Sequence, residues 1–370
     1  MNSLTLRGKI PHAIMKEIIR KGECILERKI GYAVVGLGVG MGHADAVANS
    51  KHGKLVAVCD LLQDRLQTAV EKHPGILTYE SFDEMLKNPD IEIVSIALPS
   101  AMHAEFAVRA MEAGKHVLVE KPLDITPEAA QKIEDARIRT GKKVGVVHQN
   151  RNNVCMKPMK DAIDSGRIGK LIIGTFEVKW YRNQEYYDNG GWRGTWEMDG
   201  GGSLMNQAVH TVDLMQWLMG DVESVTSVMG IYNHTIETED MTTSIIRFKN
   251  GAVATFVSTT CAYPGVGTHL KVYGSKGSME ANTGNLTLWK FMDSPENEEA
   301  EMLQKYNQDI GAAASDPTLV LGHPSIIEDM IDAVYYDRDP QIVPSEGIKA
   351  VKIVCAIYES ARTGKTIRID

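Results

Sequence analysis

The chain has 370 residues, of which 24% are charged and 43% hydrophobic, and a net charge of −8. This is average globular usage and enough length for two domains with full cores. The negative balance and the lack of a long basic run argue against nucleic acid or an anionic membrane as partner. No apolar run reaches the ~18–20 residues needed to cross a bilayer, and no secretory h-region is visible. Cys24, Cys59, Cys155, Cys261 and Cys355 are scattered, with no CxxC and no Cys/His cluster. A reducing, cytoplasmic setting is expected, without a zinc site or a disulfide frame.

Residues 1–30 form an extension. Ile14–Ile19 reads as a short amphipathic helix, either an arm on a neighbouring subunit or a cover for its own. From 31 to 150 strands and helices alternate. Ile30–Val35 reads as a strand, followed by the turn Gly36-Leu37-Gly38-Val39-Gly40-Met41-Gly42 and the helical run Ala44–Ala48. Glycines there let the backbone approach a pyrophosphate at a helix start, although Met41 occupies the usual third glycine position. Leu55–Cys59 is the next strand and ends on Asp60, about twenty residues past the turn, the spacing of a ribose-binding carboxylate. Asp60 repels a 2′-phosphate and no arginine follows directly, although Arg65 is near, so NAD is expected rather than NADP. Asp60 as a helix cap is compatible with that role. Ile91–Ala97, Lys115–Val119 and Lys143–Val147 read as further strands, with helices from Ala101 to Ala113 and from Thr126 onward. The series implies a doubly wound parallel sheet, a Rossmann domain.

Val117–Val119 is a buried parallel strand by pattern, and it runs into Glu120-Lys121-Pro122. Proline stops the ladder, so Glu120 and Lys121 fall at the carboxyl end of the strand, where ligands bind in open α/β sheets. Lys121 is a candidate proton-transfer group. A solvated ion pair at a strand end is the competing reading.

From 151 to 370 the texture changes to that of a second domain. A helix over Met156–Ser165 precedes strand-like runs at Leu171–Trp180, Val222–Tyr232, Met241–Phe248, Ala252–Thr260 and Leu270–Tyr273. Their alternation predicts a large open, mostly antiparallel sheet. Ser294–Ser315 reads as an exposed excursion, and Ser325–Tyr336 and Ser345–Thr363 as helices, the last of which is expected to pack back on the first domain. Gly200-Gly201-Gly202 lead into a helix with Asn206 and His210 four apart and Asp213 three further on. His210 is the acid/base candidate, since imidazole titrates near neutrality. A structural histidine satisfied by Asp213 is the alternative.

The glycine turn, Asp60, Glu120-Lys121-Pro122 and the glycine-to-His210 segment together resemble the glucose–fructose oxidoreductase/inositol dehydrogenase family, Gfo/Idh/MocA, from about Ile30 to the C-terminus. The resemblance implies NAD-dependent oxidation of a secondary hydroxyl of a sugar, glycoside or cyclitol to a ketone, with C3 of a glucoside as the expected position. It implies that Lys121 bonds the reacting hydroxyl and that His210 takes its proton. Asn206 stands where many relatives have aspartate, so it orients substrate or histidine, and His210 works with a different partner. Leu98, Pro99, Ser100 and His103 would meet the nicotinamide half of the cofactor. Gln149 and Arg151 lie at the domain junction, the first toward cofactor and the second toward substrate. Trp192 and Arg193 would reach back to the cofactor. Tyr181, Tyr187 and Trp196 offer faces for a sugar, and His323 is a further substrate contact. The resemblance also implies a homo-oligomer (dimer, tetramer or hexamer) through the C-terminal sheet. A glycoside hydrolase working by oxidation and elimination, or a non-catalytic nucleotide sensor, are the rival readings.

Overall fold

The computed structural model describes residues 28–307 and 322–369. The expected Ile14–Ile19 helix lies outside them. Six short strands form the first sheet: β1 (Ile30–Val35), β2 (Gly53–Cys59), β3 (Leu77–Tyr79), β4 (Ile93–Ile96), β5 (His116–Val119) and β6 (Val144–Val146). All are parallel, in the order β3-β2-β1-β4-β5-β6. This is the Rossmann order, and the chain reverses its direction of growth between β1 and β4. Every residue of β1 and β4 is buried, as expected for strands covered by helices on both faces. Helix Pro127–Thr140 starts with Thr126 accepting from the Ala129 N–H and stops at Gly141 with φ +66°, the cap and stop legible in its sequence.

The second sheet holds β7 (Leu171–Lys179), β8 (Val222–Gly230), β9 (Met241–Phe248), β10 (Val253–Thr259), β11 (Gly267–Gly274), β12 (Gly277–Asn282), β13 (Asn285–Phe291) and β14 (Ile367–Arg368). Its order is β13-β12-β11-β7-β10-β9-β8-β14. Pairing is antiparallel except between β7 and β10, which run parallel at its centre. β12 and β13 escape the sequence pattern because they are joined by Thr283-Gly284, with φ of 48° and 84°. Such a two-residue turn closes a hairpin without the usual Asn-Gly signal.

One face of this sheet carries Phe176, Ile246, Phe256 and Leu270, all buried. Helices Val209–Met219 and Pro344–Thr363 cover it, contributing Val212, Met215, Val354 and Ile357 to the same core. The other face leaves Ile173, Val228 and Ile245 exposed, at 44%, 61% and 54%. Of the Ser294–Ser315 segment, Glu298–Lys305 is a helix with no buried residue, and the part past residue 307 lies outside the described residues. The C-terminal portion of the chain returns to the first sheet. Ile326, Met330 and Ile331 from helix His323–Tyr335, and Ile348 and Val351 from helix Pro344–Thr363, belong to the first core. No helix among the described residues is long and apolar enough to cross a membrane.

Candidate functional site

β1 ends at Val35, and Gly36 turns the chain with φ +84°. A Cβ at Gly36 would lie 2.4 Å from the Ala97 carbonyl oxygen, so a side chain there would force β1 and β4 loops apart. Gly38 has open space where a Cβ would stand. With Gly36 and Val39 it lines a cavity of about 880 Å³. Helix Gly40–Ala48 starts without a side-chain cap, leaving its N-terminal dipole to a ligand. Leu37, Gly40 and Met41, expected at the cofactor, stand behind this wall. The Leu37 N–H is spent on Asp60, a Cβ on Gly40 would meet Val34 Cγ1 at 2.9 Å, and Met41 packs on the first core.

Asp60 lies at the rim of the same cavity. Its Oδ2 accepts from the Leu37 N–H at 2.7 Å and its Oδ1 from the Leu62 N–H at 2.9 Å. Arg65 approaches Oδ2 at 3.3 Å. A carboxylate held by two backbone donors keeps a fixed direction and retains lone pairs for hydroxyl donors. Leu98, Pro99 and Ser100 line the opposite wall. His103 does not; its Nδ1 lies 2.7 Å from the Pro122 carbonyl and its Nε2 2.8 Å from the Leu98 carbonyl. It therefore pins the loop after β4 to the loop after β5.

Glu120 and Lys121 reach the cavity at its inner end. Glu120 is 3% exposed. Its Oε1 lies 2.9 Å from His43 Nε2 and 3.1 Å from His323 Nε2, and its Oε2 accepts from the Lys121 N–H at 3.0 Å. Burial pushes the carboxyl up, but the bonds from His323 and His43 prevail and hold it well below the usual range. Lys121 Nζ donates to the main-chain oxygen of Asn206 at 2.8 Å. Burial lowers the Lys121 ammonium from its ordinary value, against the pull of Glu120 and Asp199.

The three glycines before His210 make room for protein, not phosphate. A Cβ at Gly201 would sit 2.0 Å from Tyr358 Oη, and one at Gly202 2.0 Å from the Glu239 carbonyl oxygen. The Glu239 side chain then accepts from the Gly202 and Leu204 N–H groups, both at 2.7 Å, and seats the start of the helix. Burial drives that carboxyl up to about 7. Residues Ser203–Ala208 are a π-helical turn ahead of helix Val209–Met219. Asn206 and Gln207 from this turn and His210 from the helix after it line the cavity together.

His210 is held well below the ordinary imidazole range, first by burial and then by the charge of Lys121. It is neutral at pH 7 and able to accept a proton. Its Nδ1 has no partner among the described residues. Asp213 does not serve it, because that carboxylate is engaged by Arg151, Nε to Oδ2 at 2.8 Å and Nη2 to Oδ1 at 2.6 Å. This also corrects the expectation for Arg151. It is 8% exposed, bonded to Asp213 and Glu346, and turned away from the cavity. Gln149 stands behind His210, with its Nε2 3.4 Å from His210 Nε2 and its Oε1 without a partner among the described residues. Turning that amide over would bring an acceptor against the imidazole.

Three aromatic expectations also move. Tyr181 bridges to Cys261 and meets Tyr263 edge-on, Tyr187 is buried with its hydroxyl on Thr260, and Trp196 packs edge-on against Tyr358. Aromatic residues that do line the cavity include Trp180, Tyr186 and Trp192 on the second-domain side, with Phe82 and Phe106 from the first domain. Arg182 and Arg193 stand among them, with the Arg193 guanidinium 4.5 Å from the Tyr186 ring centre. Trp180 reads in the sequence only as the end of a strand, and Arg182 and Tyr186 carry no site signal there, since their convergence depends on the fold. His323 lines the cavity beside Glu120.

Two family profiles match the chain. Residues 30–148 match the oxidoreductase family with NAD-binding Rossmann fold, and residues 156–280 match the GFO/IDH/MocA C-terminal domain. The chain belongs to the Gfo/Idh/MocA oxidoreductase family. Among solved structures, the WlbA dehydrogenase from Bordetella pertussis, in complex with NADH and UDP-GlcNAcA, is 32% identical. It superposes with a TM-score of 0.85 over 93% of this chain and 99% of that one. A 1-carboxy-3-chloro-3,4-dihydroxycyclohexa-1,5-diene dehydrogenase from Comamonas testosteroni is 33% identical over 206 residues, 54% of this chain and 50% of that protein, so the match spans half of its length. Inositol 2-dehydrogenase from Salmonella typhimurium is 27% identical over 263 residues, 68% of this chain and 73% of its own. The open Gly38, the fixed Asp60 carboxylate and the uncapped helix fit the dinucleotide of this family.

Asp60→Ala should narrow the preference for NAD over NADP by about tenfold, the worth of a charge-assisted hydrogen bond. Paired kcat/KM values for the two nucleotides measure this, and an unchanged ratio would remove Asp60 from the ribose.

Proposed function

We propose that the protein oxidises a secondary hydroxyl of an anionic sugar, a free or nucleotide-linked uronic acid. NAD, held by the Gly36–Val39 turn, Asp60 and the Leu98–Ser100 loop, supplies the hydride acceptor. The observation that carries the substrate class is the company of Lys121. Arg182 and Arg193 stand in the same cavity as Trp180, Tyr186 and Trp192, and no carboxylate among the described residues forms an ion pair with Arg193. Aromatic faces suit sugar rings, and guanidinium groups suit carboxylate or phosphate. The UDP-GlcNAcA bound by the WlbA dehydrogenase is a sugar of this class, which supports the reading.

In this reading Lys121 donates a hydrogen bond to the oxygen of the reacting hydroxyl and stabilises negative charge developing there. His210, kept neutral by burial, accepts the hydroxyl proton. Asn206 orients that hydroxyl and His323 accepts a hydrogen bond through its Nδ1, which has no partner among the described residues. Ring carbon 3 is the first position to examine for the ketone. The exposed face of the second sheet, with Ile173, Val228 and Ile245, supports association with a second copy of the chain. The four free cysteines among the described residues agree with a cytoplasmic setting.

A panel of UDP-linked and free uronic acids, glucosides and inositols tests the reading by reduced-nicotinamide absorbance and ketone analysis. Uronic acids should give the strongest signal, and Lys121→Ala should lower kcat about 100-fold or more with little loss of NAD binding. Turnover within a few-fold of the parent would remove Lys121 from the chemistry. Aglycone release without net reduction would move the assignment to oxidation and elimination. Ile245→Glu should reduce the mass seen by light scattering, and an unchanged mass would place the contact elsewhere.

A further inference from the structure

Asn206 contributes both ends of its amide to a bonded chain. Its Nδ2 donates to Asp199 Oδ1 at 2.6 Å, and its Oδ1 accepts from Gln207 Nε2 at 2.9 Å. Asp199 is 1% exposed and does not line the cavity. Its other oxygen, Oδ2, accepts from the Gly194 N–H at 2.9 Å. Gly194 directly follows Arg193, and the neighbouring Met198 carbonyl accepts from the Ala101 N–H at 3.1 Å. One carboxylate thus joins the arginine-bearing loop to the helix turn that carries Asn206.

An amide can be turned over, exchanging a donor for an acceptor at nearly the same place. An ionised carboxylate only accepts, so it selects the orientation with Nδ2 toward itself. The end left for the cavity wall is the carbonyl oxygen. We propose that Asp199 is a positioning residue for the reaction, fixing the Asn206 amide so that an acceptor meets the substrate hydroxyl beside Lys121. The inference rests on the reading that Lys121, Asn206 and His210 serve that hydroxyl.

The same carboxylate acts on Lys121 through space, opposing the effect of burial on the ammonium. Burial pushes the Asp199 carboxyl up to about 6, while the Gly194 and Asn206 bonds and the charges of Lys121 and Arg193 pull it down. Tyr186, from helix Gln184–Asp188, and Tyr358, from helix Pro344–Thr363, face it as neutral phenols, each raised by burial. As pH falls through about 6, Asp199 gains a proton and can donate. The amide then keeps only the Gln207 bond to its Oδ1 to hold that orientation. His210 does not supply this transition, because its own titration lies well below the ordinary imidazole range.

The test has an arm that needs no substrate and an arm that does. In full-length protein with 15N-labelled asparagine, the Asn206 side-chain resonance, assigned by its loss in Asn206→Ala, should titrate near pH 6. It should stay flat in Asp199→Asn. A parent resonance that does not titrate, or one that titrates equally in the variant, overturns the inference whatever the enzyme oxidises. In turnover with UDP-N-acetylglucosaminuronic acid or the best uronic acid of the panel, Asp199→Asn should lower kcat about tenfold, leave KM for NAD within about twofold, and abolish the fall in kcat/KM below pH 6. The exchange Asp199→Asn with Asn206→Asp should recover most of the loss by restoring one carboxylate and one amide. Failure of Lys121→Ala to affect turnover would sink the functional reading alone. Parent-like kcat and pH profile in Asp199→Asn, with Lys121→Ala inactive, would sink this one alone.

Discussion

Glu120 sits where three distant parts of the chain meet. His43, 77 residues away, comes from the helix behind the glycine turn, and His323, 203 residues away, from the start of a C-terminal helix. Both ring Nε2 atoms lie against the same carboxylate oxygen, while the other oxygen holds the N–H of Lys121. His43 continues inward through Ser95 Oγ at 3.0 Å to Tyr32 Oη at 2.8 Å. A buried carboxylate without such partners would be strongly destabilising. With them it stays ionised, and it fixes the direction in which Lys121 leaves β5. The dinucleotide turn, the lysine and the returning helix are therefore held in one register by a single buried group.

That register sets Asp60 and Lys121 on one cavity. The Asp60 carboxylate, approached by Arg65, offers lone pairs to hydroxyl donors. Lys121 stands beside Glu120, and the second domain adds Arg182 and Arg193 to the same cavity. His210 is neutral, since burial and a nearby ammonium both disfavour its charged form. A neutral imidazole beside a partly buried ammonium is the combination that proton removal from a hydroxyl needs. The π-helical turn at Ser203–Ala208 brings Asn206 and Gln207 to the same wall. Tyr358 and Glu239 fill the space that Gly201 and Gly202 leave, and Ile125 fills that at Gly200.

Much of the first domain was legible because its signals are local. A buried parallel strand is an unbroken apolar run, a glycine with positive φ marks the turn, and Asp60 follows at a set distance. Lys121 could be placed because proline must end a strand. The second domain was less legible at its far edge, where β12 and β13 meet at a Thr-Gly turn rather than Asn-Gly. Among site residues, Arg151 and Tyr181 looked competent by chemistry but face other partners, Asp213 and Tyr263. Chain position alone does not say which way an arginine or tyrosine turns. Asp199 and His43 left no sequence signal, because each acts through a hydrogen bond to a residue far along the chain or across a turn. Arg182 and Tyr186 became site residues only when the second sheet laid its strand end over the Rossmann crevice.

The central claim is that this cavity moves hydride from a sugar carbon while Lys121 and His210 manage the hydroxyl. Isotope tracing tests it most directly. A uronic acid substrate carrying deuterium at the oxidised carbon is incubated with the protein and NAD, and the reduced nucleotide is weighed by mass spectrometry. The account predicts reduced nicotinamide heavier by one mass unit, a ketone at the labelled carbon and slower turnover than with the protium sugar. Deuterium found in solvent, with no label in the nucleotide, would contradict it.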